Sequence, residues 1–450
     1  MNKLFAENSI GQLIERMKRG ELKPSELVAA SVQNIAEADK EVMAWVVTAG
    51  EQLVEKVRAD EAGGSSYEGL LPHIPIAVKD IYNTEDFPTQ MGSTLWKDFT
   101  PGNDARAVFN LKREGAVVVG KTVTAEFAVH ALEKTLNPYD KTRTPGTSSS
   151  GSAVAIALGM VPFATGTQTA GSIVRPASFC GVYGMKPSFG FIPRTGMLKT
   201  TDSLDTLGFF TIYLEDLRRG FDAVRVKGLD YPISNAAITD QSRQEKPAGR
   251  PWRVGFARTH TWEYAPQYAR DSIEEFIETL KATPGIEVTE AHLPESMGQT
   301  HETHATIYNK ALSYYFENEY QHAEHVSPVM QELITAGKAI SKNQYLAALA
   351  LQAEMIRDMD DYFKDFDVLI SLSTAGEAPP REVTESPDPA LMWTLTHLPV
   401  VSVPKFTSPA GLPFGMQVVG RKYNDYLLLN FLAYLESQKL VPTRACKLLQ

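Results

Sequence analysis

Residues 74–80 read IPIAVKD, a short apolar run that ends in two charged residues. A continuous apolar run of this length is typical of a strand buried on both faces of a sheet. A second run, AVVVG, follows at 116–120, and residues 104–114 between the two suit a helix that ends at Gly115. Strand, helix and strand in this order predict a βαβ unit in a largely parallel sheet.

The same alternation continues toward the C-terminus, beyond a segment rich in glycine and serine. Residues 146–152 read GTSSSGS, and they precede a predicted helix from about Ser152 to Leu158 and a predicted strand at 161–166. The last part of the chain adds three predicted strands and a closing helix, at 365–373, 397–404, 414–420 and 424–437.

Apolar strands therefore recur at both ends of the chain, which predicts one α/β domain over residues 1–450. We expect a large, mixed, mostly parallel twisted sheet with helices on both faces. Its core comes from residues 60–225 and 365–450. Residues of about 255–365 are mostly amphipathic and predict a helical covering region, and the polar residues 225–250 predict a surface loop.

Composition and charge exclude several classes of protein. The 450 residues carry a formal net charge of -10 and no basic run, which argues against nucleic-acid binding through a basic face. Two cysteines, Cys180 and Cys446, do not imply a disulfide framework. The N-terminus lacks the apolar region of a secretory signal, and no stretch approaches the roughly 18 apolar residues of a membrane-spanning helix. We expect a soluble, cytoplasmic protein that binds neither nucleic acid nor membrane and needs no cofactor.

Lys79 ends the first predicted strand, and ligands of open α/β sheets collect at the carboxyl ends of strands. The side-chain period of two sends Asp80 to the opposite face of the sheet, so Asp80 is not an obvious partner. Burial would lower the pKa of Lys79 toward that of a usable base. The alternative is an ordinary surface lysine at the point where the strand meets solvent.

Residues 165–181 read TGTQTAGSIVRPASFCG and follow another predicted strand. Ala170 and Gly171 are small, and Ser172 stands just before a predicted helix start. Backbone N–H groups in such a turn can form an oxyanion hole, and a serine there is a candidate nucleophile. A tight turn with a helix-capping serine is the alternative interpretation.

A conventional nucleophilic serine would use a histidine base, but none of the nine histidines lies in the Gly/Ser segments. His301 and His304, and then His322 and His325, form two pairs at i, i+3 spacing. Facing pairs could hold a metal, although HETH is not the H-E-x-x-H signature. Solvated helix faces explain these pairs more simply, and we expect no metal.

Together these segments resemble the amidase signature family. The resemblance covers nearly the whole chain; it runs through IPIAVKD and then through TPGTSSSGSAVAIALGMVPFATGTQTAGSIVRPASFCGVYGMKPSFGFIPRTG, SLDTLGFF and GLPFGMQVVG. It implies the amidase signature fold and a Ser–Ser–Lys triad, with Ser172 as nucleophile, Ser148 as bridging serine and Lys79 as base. The backbone of Thr169, Ala170, Gly171 and Ser172 would form the oxyanion hole.

The sequence departs from the family pattern at two places. The family's bridging serine follows a glycine through a cis peptide, whereas Thr147 precedes Ser148 here. Many members also carry an aspartate four residues before the nucleophile and an arginine two residues after it, and these positions are Gln168 and Val174 in this chain. Both charges are absent together, so neither is left unpaired.

Arg175 stands three residues after Ser172, in an arrangement similar to the malonamidase subgroup, whose corresponding arginine binds the substrate carboxylate. A guanidinium can hold a carboxylate through two hydrogen bonds. We therefore weigh substrate binding by Arg175 against a structural role in which it ties down a neighbouring loop.

The resemblance implies an amidase that hydrolyses a C–N bond next to a carbonyl of a small molecule, through an acyl-enzyme intermediate. A linear amide is the default substrate, and a ureide or carbamate is the alternative. Four other interpretations stay open: the glutaminase subunit of a tRNA-dependent amidotransferase, an aryl-amide or carbamate hydrolase, a metal-dependent hydrolase and a non-catalytic scaffold. Aromatic residues that could line an aryl pocket or belong to the core are Tyr308, Tyr314, Tyr315, Phe316 and Trp393. Many family members dimerise, so a homodimer is a further expectation.

Overall fold

A single sheet of eleven strands runs through the computed structural model, which describes residues 1–64, 66–229, 231–383, 385–445 and 447–449. The strands are β1 (Trp45–Thr48), β2 (Pro75–Lys79), β3 (Val117–Thr122), β4 (Phe163–Gln168), β5 (Tyr183–Lys186), β6 (Thr206–Thr211), β7 (Trp252–Phe256), β8 (Ile286–Glu290), β9 (Val368–Leu372), β10 (Val400–Thr407) and β11 (Pro413–Gly420).

The strand order is β1-β3-β2-β4-β6-β5-β10-β11-β9-β7-β8, and the sheet is mixed. Parallel pairs lie in two groups, β3-β2-β4 and β9-β7-β8. The strands between these groups, and β1 at the edge, pair antiparallel. The large mixed α/β sheet is as expected, but its parallel pairs are fewer. One reason is that residues 408–412 join β10 to β11, a connection too short for a parallel crossover.

The described residues also form seventeen α-helices. They are α1 (Leu4–Glu7), α2 (Ile10–Lys18), α3 (Pro24–Val42), α4 (Glu51–Ala62), α5 (Arg106–Arg113), α6 (Ser150–Ala157), α7 (Val174–Cys180), α8 (Asp216–Val224), α9 (Pro232–Thr239), α10 (Gln241–Gln244), α11 (Gln267–Lys281), α12 (Thr300–Tyr315), α13 (Glu317–Tyr320), α14 (Pro328–Ala339), α15 (Lys342–Tyr362), α16 (Leu391–Leu395) and α17 (Asp425–Ser437). None of them combines the length and apolar character that crossing a bilayer requires.

Helices cover both faces of the sheet, because alternate strand residues enter two different hydrophobic cores. Val368 and Ile370 of β9 pack in a core with residues of α2, α5, α8, α11 and α17. Leu369, which lies between them, packs in a second core with residues of α12, α15 and α16. Strand side chains point alternately to opposite faces, so one strand supports both layers.

Two regions differ from the sequence prediction. The polar stretch 225–250 contains α9 and α10 instead of only a loop, because Pro232 begins α9 and the Asp240 side chain accepts a hydrogen bond from the N–H of Ser242 at the start of α10. The covering region also contains the edge strand β8, in which only Ile286 is fully buried. An edge strand with so little apolar surface lacks the run that predicts strands.

Candidate active site

Lys79 is fully buried at the end of β2, and its amine nitrogen lies among three hydroxyl groups. Nζ is 2.9 Å from Oγ of Ser148, 2.9 Å from Oγ of Ser149 and 2.8 Å from Oγ1 of Thr167. The backbone N–H of Lys79 donates to Oγ1 of Thr165 over 2.9 Å. The surface-lysine alternative is therefore wrong, since both the main chain and the side chain are held inside the sheet.

The environment of Lys79 favours the neutral amine. Burial lowers the pKa of Lys79 well below its ordinary value, and the negative charges of Asp205 and Glu133 oppose this shift without cancelling it. Asp80, the next residue, pairs instead with Lys121 over 3.1 Å, and both side chains are buried. The predicted opposite direction of Asp80 thus agrees with the structure.

Ser149 restricts which hydrogens the Lys79 amine can use. The Ser149 hydroxyl donates to the carbonyl of Thr167 over 3.2 Å, so it faces Lys79 as an acceptor. A neutral amine has two N–H donors and one lone pair. One N–H is therefore directed to Ser149, and the second N–H and the lone pair are left for Thr167 and Ser148. Oγ of Ser149 also accepts from the N–H of Thr167 over 3.3 Å.

Ser148 follows Thr147 through a cis peptide, as the family resemblance implies. The carbonyl of Thr147 accepts hydrogen bonds from Nη2 of Arg175 over 2.8 Å and from its Nε over 3.2 Å. The Gly/Ser segment is thus attached directly to α7, the helix that follows Ser172.

Ser172 lies in the turn between β4 and α7 and is 8% exposed. Among the residues that the structure describes, none accepts a hydrogen bond from the N–H of Ala170, Gly171 or Ser172. Three donors next to a serine hydroxyl are the arrangement that an oxyanion requires. Within the same described residues, no hydrogen bond joins Ser172 to Ser148, so only the Lys79–Ser148 half of the expected relay is closed.

Gln168 fastens this turn to its surroundings without a charge. Its Oε1 accepts from the N–H groups of Ile173 at 2.9 Å and Val174 at 3.0 Å, and its Nε2 donates to Oγ1 of Thr394 over 3.0 Å. The sequence marked Gln168 only as a missing aspartate. Its amide supplies an acceptor and a donor at once, which a carboxylate cannot do.

Arg175 is almost buried, with 11% of its side chain exposed, and two carboxylates already occupy its guanidinium. Nε lies 2.8 Å from Oε2 of Glu385 and Nη1 lies 3.0 Å from Oδ2 of Asp388. We name residues 385–389 the acidic loop. Burial and the neighbouring Asp388 charge raise the pKa of Glu385, whereas Arg175 lowers it.

The acidic loop also closes over the turn that carries Ser172. A Cβ atom built on Gly171 would overlap the carboxylate of Asp388, so only glycine fits beneath it. The loop and Arg175 enclose a cavity of about 60 Å³, whose wall also includes Phe179. That volume is far below the several hundred Å³ of ordinary ligand pockets.

The two histidine pairs do not converge on a metal site. Nε2 of His304 contacts the carbonyl of Thr169 at 2.8 Å, whereas Nε2 of His301 lies 3.2 Å from Nε2 of His260. His325 lies beside Glu324, an exposed neighbour. In the described part of the chain, no group of three or more His, Cys, Asp or Glu side chains could hold a metal ion.

Sequence reasoning missed Asp205, which is 2% exposed and faces the same turn. Its Oδ1 accepts from Oγ1 of Thr169 over 2.9 Å and from Oγ1 of Thr200 over 2.5 Å, and its Oδ2 accepts from the N–H of Thr200 over 2.8 Å. The only signal in the sequence was its place in SLDTLGFF, one of the segments that carry the family resemblance.

Comparison with known proteins extends over nearly the whole chain. The family model described as Amidase matches residues 26–429. The A-subunit of the glutamyl-tRNA(Gln) amidotransferase of Staphylococcus epidermidis is 29% identical, over 96% of this chain and 97% of its own length. The peptide amidase of Stenotrophomonas maltophilia has a TM-score of 0.83 at 25% identity and covers 98% of this chain and 99% of its own. A 6-aminohexanoate cyclic dimer hydrolase has the same fold, with a TM-score of 0.82 at 22% identity, over 98% of this chain and 99% of its own.

Proposed function

The chain belongs to the amidase family, and we propose that it hydrolyses a C–N bond next to a carbonyl, first of all in an amide, through Ser172, Ser148 and Lys79. The observation that carries this proposal is the fully buried amine of Lys79, 2.9 Å from the Ser148 hydroxyl. Burial lowers the pKa of Lys79, which favours the neutral amine, and a neutral amine can accept a proton without help from histidine.

In the proposed reaction, Lys79 takes the proton of Ser148 while Ser148 takes the proton of Ser172. The Ser172 oxygen forms a bond to the carbonyl carbon, and the carbonyl electron pair moves to oxygen. The N–H groups of the turn formed by Thr169, Ala170, Gly171 and Ser172 stabilise that oxyanion. When the C–N bond breaks, the stored proton passes to the leaving nitrogen. Water then releases the acyl group from Ser172 by the same steps.

Three single variants test this assignment with p-nitrobutyranilide as substrate and a fluorophosphonate as active-site label. We expect Ser172→Ala to abolish hydrolysis and labelling. We expect Ser148→Ala and Lys79→Met to lower kcat by about 1,000-fold or more, since nucleophile and base act as a unit. A rate of hydrolysis in Ser172→Ala equal to that of the wild type would contradict the proposal.

A second candidate is the glutaminase subunit of a tRNA-dependent amidotransferase. The observation in its favour is the 29% identity to proteins of that name over almost the full length of both chains. The absence of the charged pair at Gln168 and Val174 counts against it. The purified chain alone should hydrolyse butyramide under the first proposal. Under the second, glutamine hydrolysis should need an added partner protein.

The occupied guanidinium of Arg175 favours the loop-holding role over substrate binding and so weighs against the malonamidase-like subgroup. A substrate carboxylate would have to displace Glu385 or Asp388, both of which are already within 3.0 Å of Arg175. The acyl group that the site accepts is then neutral, since Arg175 has no free position for a second carboxylate.

Three of the five aromatic residues named from the sequence give little support to an aryl-amide or carbamate hydrolase. Trp393 is fully buried and Phe316 is 3% exposed, so both belong to the core, whereas Tyr314 is 76% exposed. A panel of amides, anilides and carbamates compares these substrate classes directly. Full activity after exhaustive chelation would separate the proposal from a metal-dependent hydrolase, and labelling of Ser172 would separate it from a non-catalytic scaffold.

We further propose that residues 1–450 act as one amidase domain, because strands from β1 to β11 join one sheet. A cytoplasmic location and a homodimer are also part of the proposal. Light scattering on the purified protein measures the oligomeric state, and a monomeric mass would overturn the dimer.

A further inference from the structure

The N–H groups of Ala170, Gly171 and Ser172, which have no acceptor among the described residues, belong to three successive peptide units. In a trans peptide the C=O and the N–H point in opposite directions, so a donor that holds the C=O also aims the N–H. The carbonyl of Thr169 therefore governs the N–H of Ala170. In the same way, the carbonyl of Ala170 governs the N–H of Gly171, and the carbonyl of Gly171 governs that of Ser172.

Each of these carbonyls accepts from a donor that the structure describes. The carbonyl of Gly171 accepts from the N–H of Arg175 over 2.9 Å, which is part of the first turn of α7. The other two depend on side chains from far along the chain. The carbonyl of Thr169 accepts from Nε2 of His304 over 2.8 Å, and the carbonyl of Ala170 accepts from Oγ1 of Thr394 over 2.7 Å.

We propose that His304 and Thr394 are positioning residues for the oxyanion hole, which aim the N–H groups of Ala170 and Gly171 by holding the carbonyls on the opposite side of each peptide. The inference rests on the proposed amidase reaction. It assigns a task in that reaction to α12, in the covering region, and to α16, which follows the acidic loop.

His304 suits this task because it is a permanent donor. Since a carbonyl can only accept, Nε2 carries the hydrogen of the ring. Burial lowers the pKa of His304 to about 4, so the ring is neutral over the range in which Lys79 would act as a base. The side chain is 5% exposed and belongs to α12.

Thr394 is directed by a second residue. Nε2 of Gln168 donates to Oγ1 of Thr394, so the hydroxyl proton of Thr394 is left for the carbonyl of Ala170 at 2.7 Å. A second acceptor, the carbonyl of Ala390, is farther away at 3.4 Å. Gln168, Thr394 and Ala170 thus form one chain of hydrogen bonds with a single direction.

Thr394→Val tests the inference, because valine keeps the shape of threonine and removes the donor. With p-nitrobutyranilide we expect kcat to fall by about 10- to 100-fold and KM to stay within about twofold, since an oxyanion forms only in the transition state. Thr394→Ser should recover most of the rate. His304→Gln, which keeps a donor, should lose less rate than His304→Phe.

Thr396→Val is the matched control. Thr396 is a fully buried threonine that donates to the carbonyl of Met392 over 2.7 Å and does not hold the turn. Equal kcat values for wild type, Thr394→Val and Thr396→Val would overturn the inference. Equal losses in Thr394→Val and Thr394→Ser would do so too, because serine keeps the donor.

A crystal structure tests the role of Thr394 independently of the proposed amidase activity. If the wild-type protein hydrolyses no amide, the proposed reaction fails, and the crystal structure of Thr394→Val then decides the inference alone. We expect the peptide between Ala170 and Gly171 to rotate in that variant. An unchanged peptide, with the N–H of Gly171 still aimed as in wild type, would refute the role of Thr394 whatever the activity.

Discussion

Oγ of Ser149 lies as close to Nζ of Lys79 as Oγ of Ser148 does, at 2.9 Å. The two serines differ in what their protons do. Ser149 gives its proton to the carbonyl of Thr167, so it can only accept from Lys79. This contact fixes one N–H of the neutral amine and leaves the lone pair to face Ser148 or Thr167, so Ser149 is a residue that orients the base.

Removing that acceptor should slow the reaction without weakening substrate binding. We expect Ser149→Ala to lower kcat by about 10-fold, which corresponds to the loss of one hydrogen bond of about 1.4 kcal/mol, and to leave KM nearly unchanged. Steady-state kinetics on p-nitrobutyranilide measure both. Ser152→Ala is the control, because Ser152 is a buried serine of α6, the helix that Ser149 precedes, and it contacts Thr122 instead of Lys79. A wild-type kcat in Ser149→Ala would contradict the orienting role.

The lowered pKa of Lys79 should also appear in the stability of the protein. In the unfolded chain the lysine is protonated below about pH 10.4. In the folded protein its pKa is lower, so at any pH between the two pKa values folding releases a proton from Lys79. Between these two values the free energy of unfolding therefore rises with pH, by at most about 1.4 kcal/mol per pH unit.

Lys79→Met lacks this contribution, so the difference in stability between wild type and variant should change with pH. We expect the free energy of unfolding of the wild type to increase relative to that of the variant as the pH rises from 7 to 9. Denaturant titrations at each pH measure both. Other buried lysines, such as Lys186, titrate in both proteins and cancel in the comparison. Parallel stability curves would show that Lys79 keeps its proton in the folded state.

The sequence predicts the centre of this site because its residues lie in short segments with a strong local signal. Lys79 ends an apolar strand, and Ser148 and Ser172 belong to segments rich in small residues. A strand end and a turn before a helix have predictable places in an α/β sheet. Their positions made Lys79 and Ser172 candidates, and the resemblance to the amidase signature family supplied the roles of both and of Ser148.

The residues that support the centre could not be assigned, because they lie far away along the chain. His304 reaches Thr169 across 135 positions, and Thr394 reaches Ala170 across 224. Helical spacing makes His304 look like half of a pair with His301, yet their partners differ once the helix is packed. The contact between the acidic loop and Arg175 could not be predicted for the same reason, since Asp388 lies 213 positions after Arg175 in the chain.

Gly171 should tolerate no side chain while Asp388 lies above it. A methyl group would overlap the Asp388 carboxylate and push it away from Arg175. We expect Gly171→Ala to cost about 1–3 kcal/mol of stability, as overpacking generally does, and to lower kcat at least 10-fold. Gly298→Ala is the control, because a Cβ atom there would meet no described atom within 4 Å.

A double-mutant cycle attributes the Gly171 effect to this one contact. Asp388→Ala removes the carboxylate, so the double variant Gly171→Ala/Asp388→Ala should be more stable than the sum of the single changes by about 1 kcal/mol or more. Thermal or denaturant unfolding of the four proteins gives the coupling. Strict additivity would mean that Asp388 is not what excludes a side chain at position 171.

Arg175 should act on stability far more than on the choice of substrate. Arg175→Met leaves Glu385 and Asp388 without their cation in a buried setting, which typically costs about 3–5 kcal/mol. Neutralising both carboxylates as well, in Arg175→Met/Glu385→Gln/Asp388→Asn, should restore much of that loss.

The choice of substrate should not change in Arg175→Met. Succinamic acid and butyramide are an acidic and a neutral amide of equal chain length, and we expect their rates of hydrolysis to fall by the same factor. Arg381→Met is the control, because Arg381 also binds main-chain carbonyls, but those of Glu133 and Thr135. If only the hydrolysis of succinamic acid slowed, Arg175 would bind the substrate carboxylate, and the malonamidase-like interpretation would be favoured again.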